Sequence, residues 1–304
     1  MKQRLRHHLD YFIRGLLMGG ADIIPGVSGG TIALIVNVYE RLIASISELV
    51  SFGLNSVRWN WPEAREHWRT ADWGLLLPLG AGIVTALIGG ARVIPGLMEQ
   101  YPAHMQALFF GLVAASLAIP WRRLDRVRLP LVAIALIAAL GAFFFVGLPQ
   151  VNAANPTLPR VFGSAAIAIC AMILPGVSGA FLLEVLGIYA PTLDAVNSAD
   201  LVYIATFVAG AATGLAAFAK ILDFLLSRYH DATMAALIGL IAGALRALWP
   251  YTGPNDAPRW PEASEPVATV IGIGLLGFIA VIGLIWWGAH RAETTAPVKH
   301  SSSA

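Results

Sequence analysis

Two short strings carry residue types that could do chemistry inside an otherwise apolar chain. PGVSGG runs from Pro25 to Gly30 and precedes Thr31; PGVSGA runs from Pro175 to Ala180. Proline stops a preceding helix, and serine is a preferred N-cap for the next one. Each string therefore predicts a helix that halts in mid-chain and a second that restarts at Ser28 or Ser178. The first N–H groups of a restarted helix have no intrahelical partner, and with the helix dipole they favour an anion. Gly26, Gly29 and Gly30 permit the turn and let a ligand come close to the backbone. The Ser28 and Ser178 hydroxyls can cap their helices or bond a bound anion, and Thr31 lies one turn on. Such a pair of termini suits a phosphate or carboxylate better than a cation. A tight capped hairpin without a ligand is the alternative for either string taken alone.

Charged side chains within apolar segments cost about 2.5–3.5 kcal/mol each on insertion scales, and so point to function. Glu184, in FLLEVLGIY past Ser178, is one; Asp22, just ahead of Pro25, is another. Asp22 reads as lying near the C-terminus of a half-helix, where a negative charge is unfavourable unless protonated or paired. Either acid could carry a coupling proton or hold a basic partner, with a buried ion pair as the structural alternative. Arg92 and Lys220 could bind phosphate, the first as a bidentate fork and the second as a point charge. Both also lie near helix ends, where long basic side chains snorkel to the interface. Glu40 and Arg41 follow Tyr39 and read as coupling residues or as an exposed pair near the membrane surface. Arg14 faces either the same cavity or the lipid headgroups.

The elements that must position these residues are apolar segments at about 11–24, 29–47, 73–94, 104–120, 129–148, 161–174, 178–193, 201–222, 232–249 and 266–288. Residues 25–29 and 175–179 are identical, and Tyr39 meets Tyr189 at the same offset. Residues 72–121 align without a gap on 200–249, pairing Asp72 with Asp200, Gly82 with Gly210, Gly111 with Gly239 and Arg92 with Lys220. The two offsets differ by an extra loop in the first half, around SFGLNSVRWNWPEAREHWRT. An internal duplication follows, with a first repeat over 1–148, a second over 149–290 and a disordered tail over 291–304. Each repeat is expected to hold a re-entrant broken helix pair (11–47 and 161–193) and three transmembrane helices. These are about 73–94, 104–120 and 129–148 in the first, and about 201–222, 232–249 and 266–288 in the second. Three crossings per half invert the second repeat, the arrangement of transporters that build a midplane site from broken helices. Arg4, Arg6 and Arg14, the WRRLDRVRLP loop, Lys220 and Arg228 then share one side, and the acidic YTGPNDAPRWPEASEP loop takes the other. The positive-inside rule makes both termini cytoplasmic, with Trp73, Trp121, Trp249, Trp286 and Trp287 at the interfaces.

Composition sets the class. Of 304 residues 57% are hydrophobic and 12% charged, about half the charge of a soluble domain, and mean hydropathy is +0.70. The apolar blocks are long enough to cross a bilayer core of about 30 Å. The expected fold class is an all-α polytopic membrane protein, which excludes a soluble enzyme, a nucleic-acid-binding domain and a disulfide scaffold. A net charge of +2 provides no polyanion-binding surface, and the single Cys170 can form no internal disulfide. Asp22 and Pro25 interrupt the first apolar stretch, so a cleaved signal peptide is not expected. With no metal-spaced His/Cys cluster and no P-loop, no metal or other cofactor is expected. Any driving energy is expected from a proton or ion gradient.

GGADIIPGVSGGTIALIVNVYERLI and ILPGVSGAFLLEVLGIYAPTLDAV resemble the bacterial membrane family of polyprenyl-phosphate transporters of the PopT type, and the resemblance spans about residues 9–290. It implies a flippase that moves undecaprenyl phosphate from the outer to the inner leaflet of the bacterial inner membrane. Such movement recycles the lipid carrier of peptidoglycan and other envelope polymers. The resemblance makes Asp22, Pro25, Gly26, Val27, Ser28, Gly29, Gly30 and Thr31 one signature segment, and Pro175, Gly176, Val177, Ser178 and Gly179 with Glu184 the other, with the strings around the phosphate. The second copy continues Ala180-Phe181 in place of Gly-Thr, so unequal binding is expected. The implied partners are a polyprenyl-phosphate lipid and membrane lipids, without nucleic acid, and with a homo-oligomer left open. Two alternatives stand beside this. PGVSGGT is similar to the PG-x-S-R-S segment of integral-membrane undecaprenyl-pyrophosphate phosphatases, but Gly-Gly replaces the Arg-Ser that would cradle and attack a diphosphate. A secondary transporter of a small soluble anion would use the same termini without needing a prenyl tail.

Overall fold

The computed structural model describes residues 2–23, 28–90, 94–149, 156–253 and 257–295. Apart from one antiparallel bridge between Thr252 and Pro258, the described residues are helices and their connections. Helix α1 (Lys2–Asp22) ends at the first string, α2 (Gly29–Ile35) restarts after Ser28, and α3 (Tyr39–Val57) follows a further break. That break divides a stretch, 29–47, that the apolar pattern presents as continuous. Its cause is Asn37, whose φ of 58° closes α2 with a left-handed residue.

Helices α4 (Trp61–Thr70), α5 (Trp73–Gly90), α6 (Ile94–Gln100), α7 (Pro102–Ser116), α8 (Ala118–Arg122) and α9 (Leu129–Val146) complete the first half. The second half opens with α10 (Leu158–Ile173), α11 (Gly179–Val185) and α12 (Tyr189–Asn197), the last two starting at the same offset from α2 and α3 as the strings themselves. Gly187, φ 75°, closes α11 as Asn37 closes α2, and α11 meets α12 at 103°. The 178–193 stretch is thus also two helices. Helices α13 (Leu201–Arg228), α14 (His230–Ala244) with a 3₁₀ turn (Leu245–Leu248), and α15 (Val267–Thr295) follow. The last runs into the stretch expected as a disordered tail; residues 296–304 lie outside the described residues.

Among the described residues six helical stretches are long and apolar enough to cross a membrane: Trp73–Gly90, Pro102–Arg122, Leu129–Val146, Leu201–Arg228, His230–Leu248 and Val267–Trp286. Three fall in each half. The chain is an all-helical, multi-pass membrane protein. Helix α4 occupies sequence read as loop; proline at its start and His67 and Arg69 in its last turn are what helix termini favour.

Glycines set the closest helix crossings. Helix α1 packs along α5 and α10 along α13. A Cβ on Gly82 would overlap the carbonyl oxygen of Phe12, and one on Gly210 that of Phe162, the same crossing made twice. The halves also exchange partners. Helix α7 packs on α15 with Gly111 against the Gly274 carbonyl, and α14 packs on α9 with Gly239 against that of Ala135. Helix α2 sits at the centre, where Ile32, Ala33 and Leu34 join Leu79, Val113, Leu222, Met234 and Ile241 in the main apolar cluster. Helix α11 is peripheral: Leu182 is buried, but Phe181, Leu183 and Glu184 are only half-buried.

Candidate substrate site

Both serines cap. Ser28 Oγ accepts the Gly30 N–H at 3.2 Å, and Ser178 Oγ accepts the Phe181 N–H at 3.4 Å. The two strings also meet. The Ser28 hydroxyl lies 3.3 Å from the carbonyl oxygens of both Met172 and Leu174, to which it donates, and Thr31 Oγ1 accepts the Gly176 N–H at 2.9 Å. Ser28 is 2% exposed and Thr31 0%, so these bonds are made away from water, where leaving one unmade is costly. Gly176 has φ 83°, and a Cβ there would approach Ile241 Cα to 2.8 Å. Only glycine fits that turn without strain. The hydroxyls of the first string therefore grip the backbone on which α10 stops. Pro175 and Gly176 are buried at this junction, with Val177 and Ser178 half-buried and Gly179 buried beside them. Pro25, Gly26, Val27 and Arg92 lie outside the described residues.

Asp22 has surroundings opposite in character to those read from its place in the chain. It ends α1, but its carboxylate lies at the start of α2, where Oδ1 accepts the Gly29 N–H at 2.6 Å. A negative charge there is favoured, so the protein supplies its own anion to the first restarted helix. The second copy has Met172 at the matching position, with its side chain over Gly179. The two copies thus differ in the preceding helix as well as at Ala180 and Phe181.

Each restarted helix is held at its far end by an arginine. Arg14 Nη1 donates to Val36 O at 2.5 Å, and Arg160 Nη2 donates to Leu186 O at 2.8 Å. A cation bonding the last carbonyls of a helix complements its dipole. Arg14 is also paired with Asp10 at 2.7 Å. Sequence reading left Arg14 between cavity and headgroups and passed over Arg160; the signal was Val36 and Leu186 standing at matching positions ahead of Asn37 and Gly187.

The remaining candidates lie apart from the junction. Glu40 pairs with Arg123, which also bonds Asn37, and His230 Nε2 lies 3.7 Å from Glu40. Arg41 pairs with Asp72 and donates to the Tyr11 hydroxyl at 2.6 Å; these partners hold its guanidinium above its ordinary pKa, the Asp72 bond most. These contacts knit α1, α3, α5 and the 122–128 loop on one face, as an exposed ion-pair network. Lys220 is exposed on α13, within electrostatic reach of Glu48 on α3. Glu184 is half-buried on α11. The structure brings together Asp22, Ser28, Gly29, Gly30 and Thr31 with Gly176; it does not gather Glu40, Arg41 or Lys220 to them.

The chain is similar to known proteins along most of its length. The model of a family described as undecaprenyl phosphate translocase-like matches residues 18–263. A protein of Vibrio cholerae serotype O1 named polyprenyl-phosphate transporter is 37% identical over 253 residues, covering 83% of this chain and 80% of that one. A Staphylococcus aureus protein of the same name is 29% identical over 267 residues, covering 82% and 88%. No solved structure matches the chain.

Proposed function

The chain belongs to the undecaprenyl phosphate translocase-like family, and from that premise we propose that it moves undecaprenyl phosphate from the outer to the inner leaflet of a bacterial cytoplasmic membrane. The observation that carries the site is the buried junction of the two strings, where Ser28 and Thr31 bond the Met172–Gly176 backbone. A monophosphate needs a backbone-lined polar pocket of this kind, while its prenyl tail stays in lipid between helices. The residues offered to the headgroup are those of the strings, Pro25 to Thr31 and Pro175 to Gly179, with Arg92 and Lys220 as candidate counter-charges. Asp22 and Glu184 are the candidate proton carriers. The relatives are named as transporters, and this chain is a transporter, not an enzyme; Gly29 and Gly30 stand where a phosphatase would need Arg and Ser.

Alternating access by an inverted repeat fits the contacts at the helix ends. The end of α2 lies with Arg123 of the loop that precedes α9. The end of α11 lies with Arg160, which follows α9. Helix α9 is a full apolar span, so the two restarted helices point their closed ends at opposite faces. In this reading both termini are cytoplasmic, and each string pair is re-entrant. The two halves then rock about the junction.

The test is movement of polyprenyl phosphate between leaflets in proteoliposomes, with Ser28→Ala, Ser178→Ala and Glu184→Gln in parallel. Protein-dependent movement that prefers the monophosphate and falls in the serine variants is expected, with Glu184→Gln slower or altered in pH dependence. No movement by folded protein, with or without a pH gradient, overturns the reading. Orthophosphate release from the pyrophosphate lipid would restore the enzymatic alternative.

A further inference from the structure

The face that holds the end of α11 has a charge pattern of its own. Three described arginines lie there. Arg259 is met by Glu265 and Glu262. Arg160 and Arg246 have no carboxylate partner among the described residues. Each spends a donor on a backbone carbonyl, Arg160 on Leu186 O and Arg246 Nη1 on Phe143 O at 2.9 Å. A guanidinium has five N–H donors in a planar fork, and among the described residues most of each fork has no side-chain acceptor. Arg246 lies over the Phe143 ring, with Cζ 4.5 Å from the centroid, which orients its plane. Arg160 is exposed and Arg246 half-buried.

Arg160 bonds the residue that follows α11, and Arg246 lies against the last turn of α9, the helix whose Phe145 packs beside α11. Leu186 ends α11, and Phe145, two residues beyond Phe143, packs in the same apolar cluster as Leu182 and Leu186. The Phe145 ring also meets that of Phe181 at 5.8 Å between centroids. Helix α11 is the restarted helix that is half-exposed and lacks a carboxylate like Asp22 at its start. On the opposite face the position matching Arg160 is Asp10, already bound to Arg14, so the pair has no counterpart there.

We propose that Arg160 and Arg246 form a reception rim that takes the phosphate monoester headgroup of a lipid from the leaflet on this face and passes it to α11 and the string junction. The inference rests on the transporter reading, and it names the residues that collect the substrate. A guanidinium bonds phosphate oxygens two at a time, which fixes a headgroup as well as attracting it. Neither arginine is a candidate from the strings.

The test uses Arg160→Gln and Arg246→Gln, which keep an N–H donor for the carbonyl and remove the charge. In proteoliposomes of known orientation, substrate is presented from one face at a time. The half-saturating mole fraction from this face should rise about tenfold in either variant, as expected for losing a charge-assisted bond. The value from the other face and the maximal rate should stay near those of the unaltered protein, with the unfolding temperature lowered only slightly where Arg160→Gln loses the charge at the end of α11. An unchanged value from this face, or an equal rise from both, overturns the rim. If the unaltered protein moves no lipid, the transporter reading fails by itself, and the rim is judged by binding of geranyl phosphate to purified protein. Binding weakened by both substitutions sustains the rim. Binding that is absent, insensitive to both, or displaced equally well by inorganic phosphate overturns it.

Discussion

Replacing Thr31 with valine tests the contact that joins the two halves. Valine has the shape of threonine, so the packing around a fully buried side chain is preserved while the acceptor of the Gly176 N–H is lost. No water can replace it, because Gly176 is itself buried. A buried donor left unpaired costs about 1–3 kcal/mol, and each 1.4 kcal/mol is about a factor of ten in the population that opens. The amide of Gly176 should therefore exchange about ten- to hundredfold faster in Thr31→Val, read by hydrogen exchange of peptides covering 174–178 in detergent or nanodiscs. Thr31→Ser keeps the hydroxyl and removes one methyl, worth about 1 kcal/mol of burial spread over the whole core. It should lower the unfolding temperature slightly and leave Gly176 protected. Leaflet-to-leaflet movement should follow the hydroxyl, reduced in the valine variant and retained with serine. Equal protection of Gly176 in the valine and serine variants would refute the reasoning, since the bond would then contribute nothing to holding the strings together.

Other crossings and connections give further expectations. Gly82→Ala and Gly210→Ala place a methyl on the Phe12 and Phe162 carbonyls and should each destabilise by about 1–3 kcal/mol. Gly80→Ala and Gly163→Ala, which face open space, should be neutral or stabilise by about 0.5–1 kcal/mol; thermal unfolding that ranks all four alike contradicts the close crossings. The Arg259 bond, helped by the Glu262 N–H, holds the Glu265 carboxyl below its ordinary pKa. That contribution is present above the ordinary carboxylate range of about 4.3 and is lost as pH falls through the lowered value. A fluorinated Trp249, whose indole N–H donates to Arg259 O at 2.9 Å, should report loosening of this loop in acid, and a resonance that moves only with global unfolding counts against it.

Much of this arrangement is legible in the sequence, and the parts that are not share a cause. The ends of α1 and α10 ahead of the two strings and the caps at Ser28 and Ser178 are local, fixed by residue type and next neighbours. The six spans follow from length and apolarity. The break at Asn37 is also local, but asparagine in a left-handed turn looks like any polar residue until it is set beside Gly187. Helix α4 was concealed because tryptophan and charge along 61–70 suggest a loop more than an amphipathic helix, although its Pro and basic residues stand where helix ends want them. The exchange of α7 and α14 between halves is not legible at all. Helices α7, α9, α14 and α15 are apolar all round, so periodicity says that they are buried or in lipid and not against which neighbour. Asp22 fails for a related reason: seven residues separate it from Gly29 along the chain, and whether it faces the end of one helix or the start of the next depends on how the turn folds back.

The position of Asp22 gives the duplication its direction. Two strings that share PGVSG could offer similar anion sites, but the start of one is furnished with a carboxylate and that of the other with Met172. On the proposed reading, a phosphate that reaches α2 must displace Asp22 from the Gly29 N–H, whereas at the start of α11 it meets the Met172 side chain. Asp22→Asn replaces a charge-assisted bond by a neutral one, weaker by about 1 kcal/mol, which eases that competition by a factor of about five. Because binding and displacement are linked, the same factor must appear in the substrate. The half-saturating mole fraction of polyprenyl phosphate should fall about fivefold in Asp22→Asn, and any dependence on a proton gradient that Asp22 carries should flatten with it. A half-saturating fraction that rises, in protein that unfolds at the ordinary temperature, would mean that the carboxylate helps to hold the substrate and does not stand in for it.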